Sequence, residues 1–346
     1  MKKKNVINLI KYHAEKNEAA FRQEAYIIAK DFDNEKDYSL AQYIVSLLSD
    51  ANNFCPQFQE EDCRFLKKVE FGNEPLPLPS IIEDNIVGII NAIGHNAGVN
   101  KFLFEGPPGT GKTESVKQIA RILDRDLYMV DFDNIIDSKL GQTSKNISAL
   151  FNELHKISQP QKIIILFDEI DALAIDRINS NDLREMGRAT SSLLKGFDGL
   201  DNNIVIIATT NLYKAFDKAL IRRFDAIVNF SEYTQADLVE AAEKILNKLL
   251  NRFKTAGRNI TLFRKILNTA DQLPYPGELK NILKTSLAFS DPSYEYDNLK
   301  RIYNSLNKEN SNSLKNIQDK GFTVREIEIL TGVSKSQVSR KLKEIK

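Results

Sequence analysis

Apolar residues recur along this chain in two different rhythms, and the change between them divides it. Over about Asn5 to Asp50 they fall at helical spacing: Ile7, Leu9, Ile10 and Tyr12, then Phe21, Ala25, Ile28 and Ala29, then Leu40, Tyr43, Ile44 and Leu47. No glycine or proline interrupts the stretch, which predicts a helical module over residues 1–66. Residues 67–80 read as a linker, because the prolines of Phe71 to Ser80 (FGNEPLPLPS) forbid a regular helix.

From residue 81 the rhythm changes. Short apolar runs at Lys101–Phe104, Leu127–Val130, Ile163–Phe167, Ile204–Ala208 and Ala226–Phe230 alternate with amphipathic helical stretches. Strand-sized runs in alternation with helices predict an α/β subdomain over residues 81–231, with a mostly parallel sheet covered on both faces. After Ser231 the strand pattern stops. Residues 232–306 read as a helical bundle broken at Pro274 to Gly277. A polar link, Asn307 to Ser313, leads to a last helical unit over residues 314–346.

Composition adds little. A chain of 346 residues, 42% hydrophobic and 27% charged, is an ordinary soluble one with room for one large or two to three smaller domains. A net charge of +1 requires any basic surface to be local. Cys55 and Cys63 form no CxxC pair and read as free thiols of a cytoplasmic protein. His13, His95 and His155 are too far apart in sequence to suggest a histidine metal cluster. The start, MKKKNVINLIKYH, has too short an apolar stretch for a signal peptide. Runs such as Ile163–Phe167 are strand-sized, so no membrane span is expected.

The chemistry lies at the ends of the predicted strands. The segment FLFEGPPGTGKTES contains G-x-x-x-x-G-K-T. Glycines at Gly106, Gly109 and Gly111 let the backbone turn its N–H groups toward phosphates, and the helix that follows points its positive end at the same anion. Lys112 is placed to pair with the β- and γ-phosphates of ATP, and Thr113 to ligate Mg²⁺. Pro107, Pro108, Thr110 and Glu114 complete the expected nucleotide-binding segment. The apolar strand of IIILFDEID ends in Asp168, expected to hold Mg²⁺, and Glu169, expected to polarise the attacking water. The strand of IVIIATTN ends in Asn211, placed to orient that water or to sense the γ-phosphate.

GPPGTGKT, FDEIDALA, IIATTN and ALIRRFD, in that order, resemble the AAA+ superfamily and specifically its classical AAA clade, over roughly residues 80–290. The resemblance implies a P-loop NTPase sheet followed by a helical lid, with ATP at the joint. It also implies a ring of identical subunits, usually a hexamer. Arg222 and Arg223 would then reach the neighbouring subunit's ATP, where a guanidinium neutralises charge developing on the γ-phosphate. A surface ion pair with Asp217 or Asp225 is the competing role. The chain departs from the family in two places. Protein-threading members carry aromatic–hydrophobic–glycine in the loop after the second strand, whereas DSKLGQTSKN puts Lys139, Leu140 and Gly141 there. No arginine stands at the lid's γ-phosphate sensor; Lys280 is the nearest basic residue, and an exposed helix lysine is its other reading.

The last stretch, GFTVREIEILTGVSKSQVSRKLKEIK, resembles a helix-turn-helix. Ile327, Leu330, Val333, Val338 and Leu342 would form its core, Gly332 its turn and Ser334 the cap of its second helix. Lys335, Ser336, Gln337 and Arg340 would face outward, with Lys341 and Lys343 adding charge. Glu328 stands where such motifs carry a small residue. DNA contact and protein docking both remain open for this unit. The N-terminal helices, with EKNEAAFRQEAYIIAKD and LAQYIVSLLSD, are similar to the leading segment of bacterial AAA ATPases that often occur beside a subtilisin-like serine protease. Two functions follow. In one, the ring remodels a protein substrate or controls a partner, such a protease included, in bacterial stress, plasmid maintenance or phage defence. In the other, a DNA-associated ATPase acts in replication, transposition or regulation through residues 314–346.

Overall fold

Strand-sized apolar runs become strands here, and the sheet they form decides where the polar residues after each run are delivered. The computed structural model describes the chain apart from residues 1–2, 16, 35–39, 41–43, 45–63, 72–76, 96–97, 138, 140, 158, 174–179, 214–216, 254–255, 308–312 and 345–346. Cys55, Cys63, Tyr43, Leu47 and Leu140 therefore lie outside the described residues. Residues 1–59 and 60–346 form two compact units.

In the first unit, α1 (Lys3–Ala14) packs on α2 (Glu18–Asn34). Ala25, Ile28 and Ala29 are buried, and Asn8 donates to Glu24 across the pair. The stripe is only half covered within this unit: Ile7 and Ile10 are exposed.

The second unit is built on one sheet. Its strands are β1 (Leu66–Lys68), β2 (Lys101–Glu105), β3 (Asp126–Val130), β4 (Ile163–Phe167), β5 (Val205–Thr210) and β6 (Ala226–Asn229). They lie in the order β1-β3-β4-β5-β2-β6, all parallel except β1. The chain leaves β2, returns at β3 on the far side, and fills β4 and β5 between. β4 and β5 are buried along their whole length, as strands covered on both faces must be.

β1 departs from the sequence expectation. It straddles the boundary drawn between a helical module ending at 66 and a linker from 67. With one buried residue and two lysines it is too short to show a period of two. Backbone pairing and an ion pair hold it: Asp131 N–H donates to Phe65 O at 2.8 Å, and Lys67 Nζ lies 2.7 Å from Asp131 Oδ2. Lysines on an edge strand also discourage pairing with another chain.

Around the sheet pack α3 (Ser80–Gly94), α4 (Lys112–Ile122), the single turn α5 (Phe132–Ile135), α6 (Gln142–His155), α7 (Ser180–Gly199) and the single turn α8 (Lys218–Ile221). α3 offers Ile82, Ile86, Ile89 and Ile93 at helical spacing to a core that includes Phe102, Phe104, Ile119 and Phe230. The lid follows as α9 (Gln235–Leu250), α10 (Ile260–Asn268), α11 (Pro276–Ala288) and α12 (Asp297–Leu306). Thr234 and Asp237 close a capping box at the start of α9, and Pro276 opens α11 where its missing N–H costs nothing.

The C-terminal residues form α13 (Leu314–Asp319), α14 (Val324–Thr331) and α15 (Lys335–Glu344). Gly332, at φ 75°, makes the turn between the last two. Ile327, Leu330, Val338 and Leu342 are buried and Val333 is half-buried. The expected cap from Ser334 is supplied instead by Glu328, whose Oε1 accepts the Lys335 N–H at 2.9 Å. A carboxylate at a helix N-terminus is favourable, and this is what a residue larger than expected does at that position.

Candidate functional site

The loop from Gly106 to Gly111 joins β2 to α4. Gly106, Gly109 and Gly111 have φ of 145°, 79° and 98°, conformations that residues with a Cβ rarely adopt. No side chain caps the start of α4, so its first N–H groups are left to bond an anion held by the loop. Pro108 is exposed, while Thr110 is buried and its hydroxyl donates to Pro107 O at 2.9 Å. Tyr233, at the start of the lid, donates its phenol to Thr110 O at 2.8 Å. Burial raises the pKa of that phenol far above the ordinary range, so it stays a donor.

Lys112 is 6% exposed, and its ammonium is saturated: it donates to Gly106 O at 2.7 Å, Pro107 O at 2.9 Å and Asn211 Oδ1 at 2.8 Å. Burial lowers its pKa, against the opposing charges of Asp168, Asp171 and Glu169. Thr113 Oγ1 donates to Asp168 Oδ1 at 2.8 Å. A hydroxyl and a carboxylate oxygen on adjacent elements are the hard donors that Mg²⁺ takes. Glu114, expected in the nucleotide segment, forms an ion pair with Lys117 at 2.6 Å.

The acids arrive by register. Phe167 of β4 pairs with Ala208 of β5, which sets Asp168 beside Thr209. Thr209 is 1% exposed, and its hydroxyl does two things: it donates to Asp168 Oδ1 at 2.7 Å and accepts the Glu169 N–H at 2.8 Å. Glu169 has φ 51°, a strained conformation for a side-chain-bearing residue, of the kind that clusters at functional sites. Its carboxylate is exposed and accepts from Asn211 Nδ2 at 3.3 Å. Asp171, 6% exposed, accepts the Asn211 N–H at 3.3 Å. Lys112, Thr113, Asp168, Glu169 and Asn211 thus form one hydrogen-bonded network at the carboxyl ends of β2, β4 and β5, where open α/β sheets bind ligands. Thr209, Asp171 and Tyr233 belong to it and were not singled out from the sequence. The signal available for Thr209 was two threonines ending an apolar strand, since a buried hydroxyl needs partners. A separate cavity of about 190 Å³ lies at the opposite edge of the sheet, near Gly98, Asn100, Arg125 and Asn202, away from these groups.

The two arginines part company. Arg223 forms a bidentate pair with Asp198, Nε to Oδ1 and Nη2 to Oδ2 at 3.0 Å each, and donates to Ala219 O at 3.2 Å. This hydrogen-bonded pair raises the arginine's pKa and lowers that of the aspartate. Arg222 is exposed and has no ion pair among the described residues. Neither Asp217 nor Asp225 takes an arginine: Asp217 caps α8, and Asp225 accepts from the N–H groups of Asn100 and Lys101. Lys139 is exposed and Lys280 is half-buried on α11.

Residues 102–232 match the family model for the ATPase family associated with various cellular activities (AAA). Among curated proteins, the chain is 39% identical over 131 residues to the uncharacterized AAA family ATPase y4kL of Sinorhizobium fredii, covering 38% of each chain. It is 32% identical over 160 residues to the peroxisomal ATPase PEX6 of Candida glabrata, covering 44% of this chain and 15% of that one. The chain thus spans well under half the length of these relatives. Among solved structures, a chain from the E. coli MS115-1 HORMA:CdnC:Trip13 complex shares the fold, with a TM-score of 0.54 at 19% identity over 70% of this chain and 95% of that one. Among the described residues no helix is long and apolar enough to cross a membrane.

Proposed function

We propose that this chain, whose residues 102–232 are an AAA-family ATPase domain, hydrolyses ATP in a ring of identical subunits, a hexamer, to remodel or control a protein partner. The observation that carries the reading is the network joining Lys112, Asp168, Glu169 and Asn211 at one end of the sheet. The loop N–H groups and α4 receive the phosphates, and the Lys112 ammonium exchanges its loop carbonyls for β- and γ-phosphate oxygens. Thr113 and Asp168 would hold Mg²⁺, which neutralises phosphate charge when bound. Glu169, exposed and steadied by Asn211, polarises a water for attack on the γ-phosphorus. The bond from that phosphorus to the β,γ-bridging oxygen breaks, giving ADP and phosphate. Arg222, exposed and with no ion pair among the described residues, would complete a neighbouring subunit's site.

The N-terminal segment's likeness supports a bacterial stress, plasmid-maintenance or phage-defence role, with a subtilisin-like protease as the partner it suggests. Lys139 in place of an aromatic residue favours control of a folded partner over threading of an unfolded one.

The test is nucleotide binding. Lys112→Ala removes the side chain that bridges the loop carbonyls to Asn211, and it is expected to abolish ATP binding in a calorimetric titration. A folded variant that keeps the wild-type affinity would refute the assignment.

A further inference from the structure

The C-terminal helices have no core of their own. Ile317, Phe322, Ile327, Leu330 and Val338 belong to the same buried cluster as the lid residues Phe263, Ile266, Leu283 and Tyr303. Polar contacts cross the seam. Lys265 Nζ on α10 lies 2.7 Å from Glu326 Oε2 on α14, while Lys320 Nζ donates to Thr269 O at 3.2 Å and Asn307 Oδ1 at 3.1 Å. The sequence suggested a separate unit beyond a polar link; the structure makes α13 to α15 part of the lid. Packed cores move as bodies and do not deform continuously, so a displacement of the lid carries α15 with it.

The other end of the lid is fastened to the phosphate loop. Gly277 N–H donates to Gly109 O at 2.8 Å, and Tyr233 donates to Thr110 O. The same loop holds the Lys112 ammonium through Gly106 O and Pro107 O. Phosphates entering the loop compete for that ammonium and change what these carbonyls bond, two and three residues from the lid's attachment at Gly109. The lid position the loop favours therefore differs between nucleotide states.

α15 presents charge. Val338 and Leu342 face the core, which puts Arg340 and Lys343 on the opposite side, Lys341 on one flank and Lys335 in the first turn next to the buried stripe, all four exposed. Ser336 and Gln337, also exposed, add neutral donors. Among the described residues two acids contact the helix. Glu344 lies 3.7 Å from Arg340 in a solvent-exposed pair, and Glu328 covers the Lys335 N–H. The helix N-terminus is thus closed to an anion, and the cations along the body are what a ligand meets. Arg340 and Lys343 on the outward face, with Lys341 at its flank and Glu344 as the opposing acid, complement a phosphate backbone, and a helix with only its inner face buried fits the major groove of B-form DNA.

We propose that α15 binds duplex DNA and that nucleotide at the phosphate loop sets this affinity through the lid. The proposal rests on the ATP-site reading above. It is tested with the full-length Glu169→Gln protein and a labelled DNA duplex, followed by fluorescence anisotropy at low salt. The conditions are ones in which light scattering shows the same oligomeric state with ATP and with ADP. Duplex affinity is expected to differ at least about fivefold between the two nucleotides, and saturating duplex must change the ratio of ATP to ADP affinity by the same factor. Arg340→Ala combined with Lys343→Ala is expected to weaken duplex binding about tenfold or more. Equal duplex affinity in both nucleotide states would overturn the coupling. Absence of duplex binding, with an unfolded polypeptide or an RNA duplex bound in its place, would overturn the choice of ligand. Nucleotide affinity, titrated separately, tells failure of the ATP-site reading, which would take the proposal down with it, from failure of the coupling alone.

Discussion

Arg222 and Arg223 are neighbours in sequence with opposite fates in the fold. Arg223 is engaged by Asp198 within its own chain, and Arg222 is exposed with no ion pair among the described residues. Arg222→Ala is therefore expected to lower ATP turnover by up to about 10³-fold while leaving nucleotide affinity unchanged. Arg223→Ala should instead lower the melting temperature slightly, an effect that Asp198→Ala reproduces. Steady-state phosphate release and thermal denaturation, run on all three variants, check this; an intact turnover for Arg222→Ala would contradict it. The split could not be read from ALIRRFD, because Asp198 is 25 residues away in the sequence. Lys112, Asp168 and Glu169 were legible because their chemistry demands one residue type at a fixed place after a strand or before a helix. Thr209 and Asp171 were not, since a threonine in a strand is common and only the fold shows that its hydroxyl bridges the Asp168 carboxylate and the Glu169 N–H.

At the scale of elements, the apolar runs predicted every strand but β1 among the described residues. That strand carries two lysines in three residues and is recruited by backbone pairing with β3, information that no local pattern holds. The joint between sheet and lid was equally hidden. Gly277 looked like a loop breaker, yet a Cβ there would lie 2.9 Å from Gly109 Cα and 3.0 Å from Gly109 O. Gly277→Ala is expected to push α11 off the loop and break the hydrogen bond to Gly109, which is worth about 0.5–1.5 kcal/mol. ATP affinity should fall by roughly two- to tenfold in a titration, with Mg²⁺ held constant. An unchanged affinity would mean that the lid does not support the nucleotide-ready loop.

The molecule as a whole joins an unbiased composition to local charge. A net charge of +1 gives no hint of a basic helix, and the division into elements gave no hint that α13 to α15 share the lid's core. The basic helix is a local run of sequence, whereas the shared core is decided by contacts between positions far apart. What the sequence did reveal was order: a phosphate loop, then two acids, then an asparagine, gathered by the sheet at one edge, and then an arginine pair just before β6 begins. The central claim is that this edge hydrolyses ATP with Glu169 activating the water, and it is tested most directly by comparing turnover and binding in Glu169→Gln. The amide keeps the shape of the side chain but cannot serve as a base, so phosphate release should fall to background while ATP binds at least as tightly as to the wild type. Turnover at the wild-type rate in that variant would contradict the account.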